Sequence, residues 1–222
     1  MSAETAKSIV NVLLVEDHPM FRERLASVIS KRGDMAVCAE ADNANDALRL
    51  AESLHPDIAI VDITLRASNG LDFLKDLKAR GIELPVLVLS MHDEAIYAER
   101  VLRAGARGYI TKYEASSEVM VAIEQVLNGE VYLSRQMTSR MLGRFAVGTK
   151  DGANDVSALT DRELDVFQRI GRGETPRDIA ASLHLGITTI DTYRARIKEK
   201  LGLKSGNELN RRAMEWVQVH PA

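Results

Sequence analysis

Short apolar runs alternate with stretches of helical period through the first 127 residues. Val12-Leu13-Leu14-Val15, Ile58-Ala59-Ile60-Val61 and Val86-Leu87-Val88-Leu89 are continuous, as expected of strands buried on both faces. A fourth run is Gly108-Tyr109-Ile110-Thr111. Between the runs, apolar residues recur at helical spacing: Phe21, Leu25, Val28 and Ile29; Ala44, Ala47, Leu48 and Ala51; Val119, Ile123, Val126 and Leu127. Residues 94–103 show the weakest period. Strand followed by helix, five times over, predicts a parallel sheet covered by helices on both sides.

The pattern then changes. Met137, Met141, Leu142 and Phe145 predict one more amphipathic helix. Residues 148–155 are rich in turn formers and poor in apolar residues, which reads as a flexible linker. Beyond it the chain predicts only helices, with start signals in series. Thr160-Asp161-Arg162-Glu163 and Ser205-Gly206-Asn207-Glu208 have the form of capping boxes. Thr175-Pro176 puts a cap before a proline at the first helical position. Gly186 would start the third helix and Gly202 end it. Four short helices with a tight turn near Leu183 fit a helix-turn-helix unit.

Each strand-like run ends in a residue suited to phosphoryl chemistry: Glu16 and Asp17, Asp62, Ser90, and Lys112. Parallel strands would gather all of these at one carboxyl edge, where open α/β folds place ligands. Three carboxylates, a hydroxyl and an ammonium together make a metal-dependent phosphate site. Taken singly, each has a plainer reading. Asp62 could be a turn residue, the Glu-Asp pair a helix cap, Ser90 a turn and Lys112 a solvated lysine; the joint pattern favours the site.

A chain of 222 residues is comfortable for two domains, and 45% hydrophobic content lets each bury a core. The single cysteine, Cys38, cannot form an internal disulfide, which suits a cytoplasmic location; it is expected to be buried and inert. No apolar run reaches membrane-spanning length, and the polar first eight residues lack a signal-peptide pattern. Net charge is -3 overall, but +1 from Asp155 onward. There Arg194, Arg196, Lys198, Lys200 and Lys204 bunch around a single acid, Glu199, a local stripe that suits a polyanion. His18, His55 and His92 show no metal-ligand spacing and are expected at the surface.

The motifs LLVEDHPMFR, AIVDITLRASNGLDFL, LVLSMHDE and AGARGYITK, in that order, resemble a receiver domain of two-component signalling. LTDRELDVFQRIGRGETPRDIAASLHLGITTIDTYRARIKEKLGL resembles the helix-turn-helix of the NarL/FixJ (LuxR-type) family. The resemblance implies a flavodoxin-like (βα)5 receiver over 9–128, a helical segment and linker over 129–156, and a four-helix DNA-binding domain over 157–220: α/β followed by all-α. It implies Asp62 as phosphoacceptor; Glu16, Asp17 and Asp62, with the Thr64 carbonyl, as Mg²⁺ ligands; Ser90 and Lys112 as phosphoryl partners; and Tyr109 as the aromatic that moves with the hydroxyl. A sensor histidine kinase would be the donor and promoter DNA the target. The phosphorylated form would be a homodimer, with RNA polymerase a further partner. No catalysis is implied beyond transfer to Asp62 and its own dephosphorylation.

Some positions differ from the commoner receiver pattern. Leu65-Arg66 stands where a Met-Pro pair is usual. Tyr113 follows Lys112 where many receivers have a proline after a cis bond, which leaves cis and trans both open here. Phosphatases and mutases that use an aspartyl nucleophile carry a second Asp two residues on; here that residue is Thr64.

Laid on a helix, residues 188–201 bury Ile190, Ile197 and Leu201, with Tyr193 at the margin. Thr188, Asp191, Thr192, Ala195 and Glu199 face outward. Arg194 and Lys198 flank one side, Arg196 and Lys200 the other. Such a helix can offer small and polar groups to base edges and cations to phosphates. Many relatives carry a basic residue where this chain has Asp191. An Asp can accept from cytosine N4 but cannot pair with guanine O6 or N7. Trp216, on the last helix with Leu209, Ala213 and Val217, either closes the small core or belongs to a self-association surface.

Overall fold

The computed structural model describes residues 9–65, 68–147, 156–183 and 185–220. In chain order the first unit comprises β1 (Val10–Val15), α1 (Pro19–Ser30), β2 (Met35–Ala41), α2 (Ala44–Leu54), β3 (Ile58–Asp62), β4 (Thr64–Leu65), β5 (Ser68–Asn69), α3 (Gly70–Ala79), β6 (Val86–Ser90), α4 (Glu94–Ala104), β7 (Gly108–Thr111) and α5 (Ala115–Leu127). The main sheet has order β2-β1-β3-β6-β7 and every pairing in it is parallel. Hence it is an α/β fold with five strands, as the alternation predicts.

The central strands are apolar throughout because both faces are covered. Val12, Leu14, Ile58, Ile60, Leu87, Leu89 and Ile110 pack against Leu25 and Ile29 of α1 and Val119, Ile123 and Val126 of α5. Alternate residues such as Leu13, Val61 and Val88 turn to the opposite face and are equally buried. β2 is an edge strand, and its burial alternates. That explains why it lacks the continuous apolar signature of the other four. Cys38 lies on this strand and is exposed, contrary to expectation: its Sγ donates to the Val12 carbonyl at 3.5 Å.

Side-chain caps fix several helix starts. Asn43 Oδ1 accepts from the Asp46 amide, Asn69 Oδ1 from the Leu71 amide and Asp93 Oδ1 from the Ala95 amide. The short β4–β5 pairing was not expected; it turns the chain straight back from Leu65 to Ser68. Residue Arg66 of the Leu65-Arg66 departure lies outside the described residues.

After α5 the chain stays attached to the first unit. Tyr132 bridges to Gly108, the Ser134 amide donates to Glu94 Oε1 at 2.8 Å, and Met137 is buried. The chain divides into compact units Met1–Thr138 and Ser139–Ala222, with the boundary inside α6 (Arg135–Val147). Leu142, expected on the apolar face of this helix, is 65% exposed. The predicted linker at 148–155 lies outside the described residues.

The second unit holds a 3-10 turn (Val156–Ala158), α7 (Asp161–Gly171), α8 (Pro176–Ser182), α9 (Ile187–Lys200) and α10 (Gly206–Val219). Thr160 and Glu163 form a complete capping box at α7, and Thr175 and Asp178 form another at α8. At α10 only half the expected box forms: Ser205 Oγ accepts from the Glu208 amide, but Glu208 Oε2 accepts from Lys204, not Ser205. Leu164, Phe167, Ile179, Ile190, Ile197, Leu209 and Ala213 make the core. Gly171 lets α7 and α10 meet, since a Cβ there would lie 2.4 Å from the Ala213 carbonyl oxygen. Trp216 is half-buried with its ring edge-on to Phe167, so it helps close this core.

Candidate functional site

Strand register delivers the site. Val15 pairs with Val61, Asp62 with Leu89, and Ser90 with Thr111, so all four strands end within a residue or two of one another. Glu16, Asp17, Asp62, Ser90 and Lys112 therefore gather at one carboxyl edge, and all five are buried. Burying so much charge is tolerable only if it is paired. Lys112 Nζ lies 2.6 Å from Glu16 Oε2 and 2.8 Å from Asp62 Oδ2, above the ring of Phe21. The Lys112–Tyr113 bond is trans, as is every peptide bond among the described residues, and the lysine still reaches Asp62.

The environment sets the protonation of these groups. Burial, the largest influence, lifts the Asp62 carboxyl to about 6; the Lys112 charge opposes the rise and Glu16 adds to it. Burial alone would lower Lys112. The Asp62 and Glu16 carboxylates outweigh it and leave the ammonium raised and charged. One ammonium facing three buried carboxylates leaves the cluster with excess negative charge.

Ligand atoms of Glu16, Asp17, His18 and Asp62 all lie within 4.8 Å of one another, the one such cluster among the described residues. Hard oxygen donors at that spacing, with negative charge in excess, suit a divalent cation such as Mg²⁺. His18 was expected merely at the surface. It is exposed, yet its Nδ1 lies 3.0 Å from Glu16 Oε1 and 2.8 Å from Asp17 Oδ1. The clue in the sequence is its place directly after two acids and before a proline.

The phosphoryl partners continue into a small network. Thr64, two residues after Asp62, donates its amide to Asp62 Oδ1 at 3.2 Å. Ser90 Oγ accepts from the His92 amide, and the buried Tyr109 hydroxyl donates to the His92 carbonyl at 2.8 Å. The His92 ring meets Thr64 Oγ1 at 2.9 Å and stacks on Tyr97. His92 is therefore a half-buried junction between Ser90, Tyr109 and Thr64, and not a plain surface residue. Gly70 also escaped notice in the sequence: a Cβ there would lie 2.2 Å from the Asp62 carbonyl oxygen.

In the second unit α9 presents Thr188, Asp191, Thr192, Ala195, Arg196 and Glu199 to solvent, with Arg194, Lys198 and Lys200 half-buried beside them. Lys200 is engaged within the fold. Its Nζ lies 2.6 Å from Glu163 Oε2 and 3.3 Å from the Ala158 carbonyl. His184, between α8 and α9 in the chain, lies outside the described residues.

A doubly wound (βα)5 unit with an acidic, lysine-bearing carboxyl edge, followed by a tetrahelical helix-turn-helix unit, is the build of a response regulator. Residues 12–124 match the response regulator receiver domain family and residues 157–213 the luxR family of bacterial regulatory proteins. The chain belongs to the NarL/FixJ-type response regulators and is a phosphorylation-regulated, DNA-binding transcription regulator.

Its sequence is 34% identical to BvgA of Bordetella pertussis over 198 residues, covering 89% of this chain and 93% of that one. It is 31% identical to the nitrate/nitrite response regulator NarL of Escherichia coli over 206 residues, covering 93% and 94%. Among solved structures it resembles a LuxR-family response regulator from Aurantimonas sp. SI85-9A1 (32% identity, TM-score 0.58, 63% of this chain and 99% of that one). RcsB of Salmonella enterica serovar Typhimurium, solved on the rprA promoter with a beryllofluoride phosphomimetic, shares the fold at 20% identity (TM-score 0.64, 92% and 98% covered).

Proposed function

We propose that Asp62 accepts a phosphoryl group from the phosphohistidine of a sensor kinase, and that the modified chain binds promoter DNA as a homodimer through residues 188–201. The observation that carries this reading is Lys112 Nζ held between Glu16 and Asp62 at 2.6 and 2.8 Å, within a buried acidic edge. A carboxylate attacking a phosphoryl group brings two anions together, and the reaction needs that repulsion removed.

Asp62 Oδ2 is the attacking atom. Its bond to phosphorus forms as the phosphorus–nitrogen bond of the donor breaks, and the leaving imidazole takes up a proton. The Lys112 ammonium passes from the carboxylate to the new phosphoryl oxygens, a shift that its mobile stem allows. The Ser90 hydroxyl donates to the same group, and the movement that brings it there draws Oγ away from the His92 amide and so disturbs the junction with Tyr109. Glu16, Asp17, Asp62 and the Thr64 carbonyl would hold Mg²⁺, which when bound would neutralise phosphoryl charge.

Turnover of an external phosphate ester is not part of this reading. Thr64 stands where a general acid would be needed, and its hydroxyl is engaged by His92. The site's chemistry is confined to phosphorylation of Asp62 and its reversal. We place the reaction in the cytoplasm, with RNA polymerase as a later partner of the DNA-bound dimer.

The test is intact mass after incubation with acetyl phosphate and Mg²⁺, on wild type and Asp62→Asn. A phosphoryl adduct on wild type alone supports the assignment. No adduct on wild type, or an equal one on the variant, overturns it.

A further inference from the structure

We infer that His18 is a nitrogen ligand of the metal ion at the acidic edge, so that this site favours first-row transition ions over Mg²⁺ more than an all-oxygen site would. The inference rests on the reading of that edge as a divalent-metal site. It adds a donor that neither the acidic motif nor the family assignment supplies.

The geometry points to it. Two ligands about 2.1 Å from one ion and at right angles lie about 3.0 Å apart. His18 Nδ1 stands 2.8 Å from Asp17 Oδ1 and 3.0 Å from Glu16 Oε1, the separations of neighbouring vertices on one coordination shell. The atoms of all four residues fall within 4.8 Å, a little more than the roughly 4.2 Å between opposite ligands of one such ion, so small side-chain movements bring them onto one shell. Nδ1 faces the carboxylates, while the ring remains 67% exposed and can shed its hydrogen bonds without disturbing the core.

The backbone holds this arrangement before any ion arrives. His18 precedes Pro19, which restricts it to extended conformations, and it adopts φ -92° and ψ 107°. Its amide donates to Glu16 Oε1 at 3.0 Å, so the residue is fastened to the carboxylate it would share an ion with. Little conformational freedom is then lost on coordination.

Donor chemistry decides the selectivity. Mg²⁺ takes oxygen ligands and retains water, so an imidazole adds little for it. Along the first-row series imidazole becomes a progressively better ligand, and it suits Fe²⁺, Ni²⁺, Cu²⁺ and Zn²⁺ most. A site of carboxylates plus one imidazole therefore tilts toward these ions.

The experiment loads the full chain with Mn²⁺, measures binding by the loss of the free-ion EPR signal, and records electron spin-echo modulation on the bound ion. Wild type should show modulation from a directly bound ¹⁴N, and His18→Gln should lose it while still binding Mn²⁺. Ni²⁺ affinity in the variant, followed by competition with Mn²⁺, should fall on the order of tenfold, the scale on which even outer partners of a ligand count. Mg²⁺ affinity, followed by competition with Mn²⁺, should change far less. Bound Mn²⁺ without ¹⁴N modulation, or modulation that persists in His18→Gln, would overturn the assignment of His18 alone. Failure of wild type to bind either ion would overturn the metal reading of the whole edge.

Discussion

The hydroxyl of Tyr109 donates to the main-chain carbonyl of His92 across 2.8 Å, while the amide of that same His92 donates to Ser90 Oγ. One peptide segment thus senses both the hydroxyl that would meet a phosphoryl group and the aromatic ring two strands' width from Asp62. Tyr109→Phe removes one end of this link. It should lower unfolding stability by about 1 kcal/mol and leave acetyl-phosphate labelling of Asp62 intact. The gain in operator affinity produced by beryllofluoride should shrink several-fold, as read by fluorescence anisotropy. An undiminished gain would remove Tyr109 from the switch.

Asp62 carries a second expectation, on stability. Its carboxyl is raised from 3.8 to about 6 in the folded chain, with burial the main cause. A raised carboxylate binds a proton more tightly folded than unfolded. The fold therefore loses stability as pH climbs from about 3.8 to 6, and the full loss applies above that range. Asp62→Asn escapes it. In EDTA at pH 7 the variant should be more stable than wild type by on the order of 2 kcal/mol, with the advantage gone below pH 4. Excess Mg²⁺ should erode the difference by stabilising wild type. Urea unfolding followed by far-UV circular dichroism would measure it.

Glu163 behaves in the opposite sense. Burial pushes its carboxyl up, but Lys200 and the Thr160 amide and hydroxyl outweigh that and hold it below its ordinary 4.5. The second unit therefore has this stabilisation in full above pH 4.5 and loses it as pH falls through the lowered value. Glu163→Gln keeps a side chain able to complete the cap but loses the ion pair. It should cost about 1 kcal/mol at pH 7 and nothing measurable once the pH has fallen well below the lowered value. Trp216, the single tryptophan, packs on Phe167 and reports the transition by fluorescence.

Asp191 sits in the middle of the exposed face of α9, among Thr188, Thr192 and Ala195. An acceptor-only side chain there selects a cytosine N4 amino group and rejects guanine. Asp191→Ala should relax preference at one position of each half-site, by about 1 kcal/mol or more of discrimination, in a randomised-operator selection. An unchanged consensus would rule out a base contact.

The contrast between α9 and the acidic edge shows what a sequence can reveal. Strands β1, β3, β6 and β7 announced themselves because both faces are buried, and their last residues brought Asp62 and Lys112 with them. The four helices of the second unit were marked by Thr160, Thr175, Gly186 and Ser205. β2 was silent because one of its faces, with Cys38 and Glu40, is open to solvent, and Cys38 was misplaced for the same reason. His18 and His92 were missed because their roles depend on contacts through space: Nδ1 turned back toward two acids, and a ring spanning Thr64 and Tyr97. Lys200 looked like one of several phosphate-facing cations until Glu163, thirty-seven residues earlier, was seen beside it.

Gly70 begins α3 with its Cα against the carbonyl of Asp62, leaving no room even for a methyl group. The rear of the acceptor loop is therefore walled by bare backbone, and this wall carries no charge, hydroxyl or ring. An alanine there would displace Asp62 from Lys112 and blunt signalling while every acidic, hydroxyl and lysine residue of the site remained in place. A chain altered at that one position would still hold every group that does the chemistry, and would be deaf.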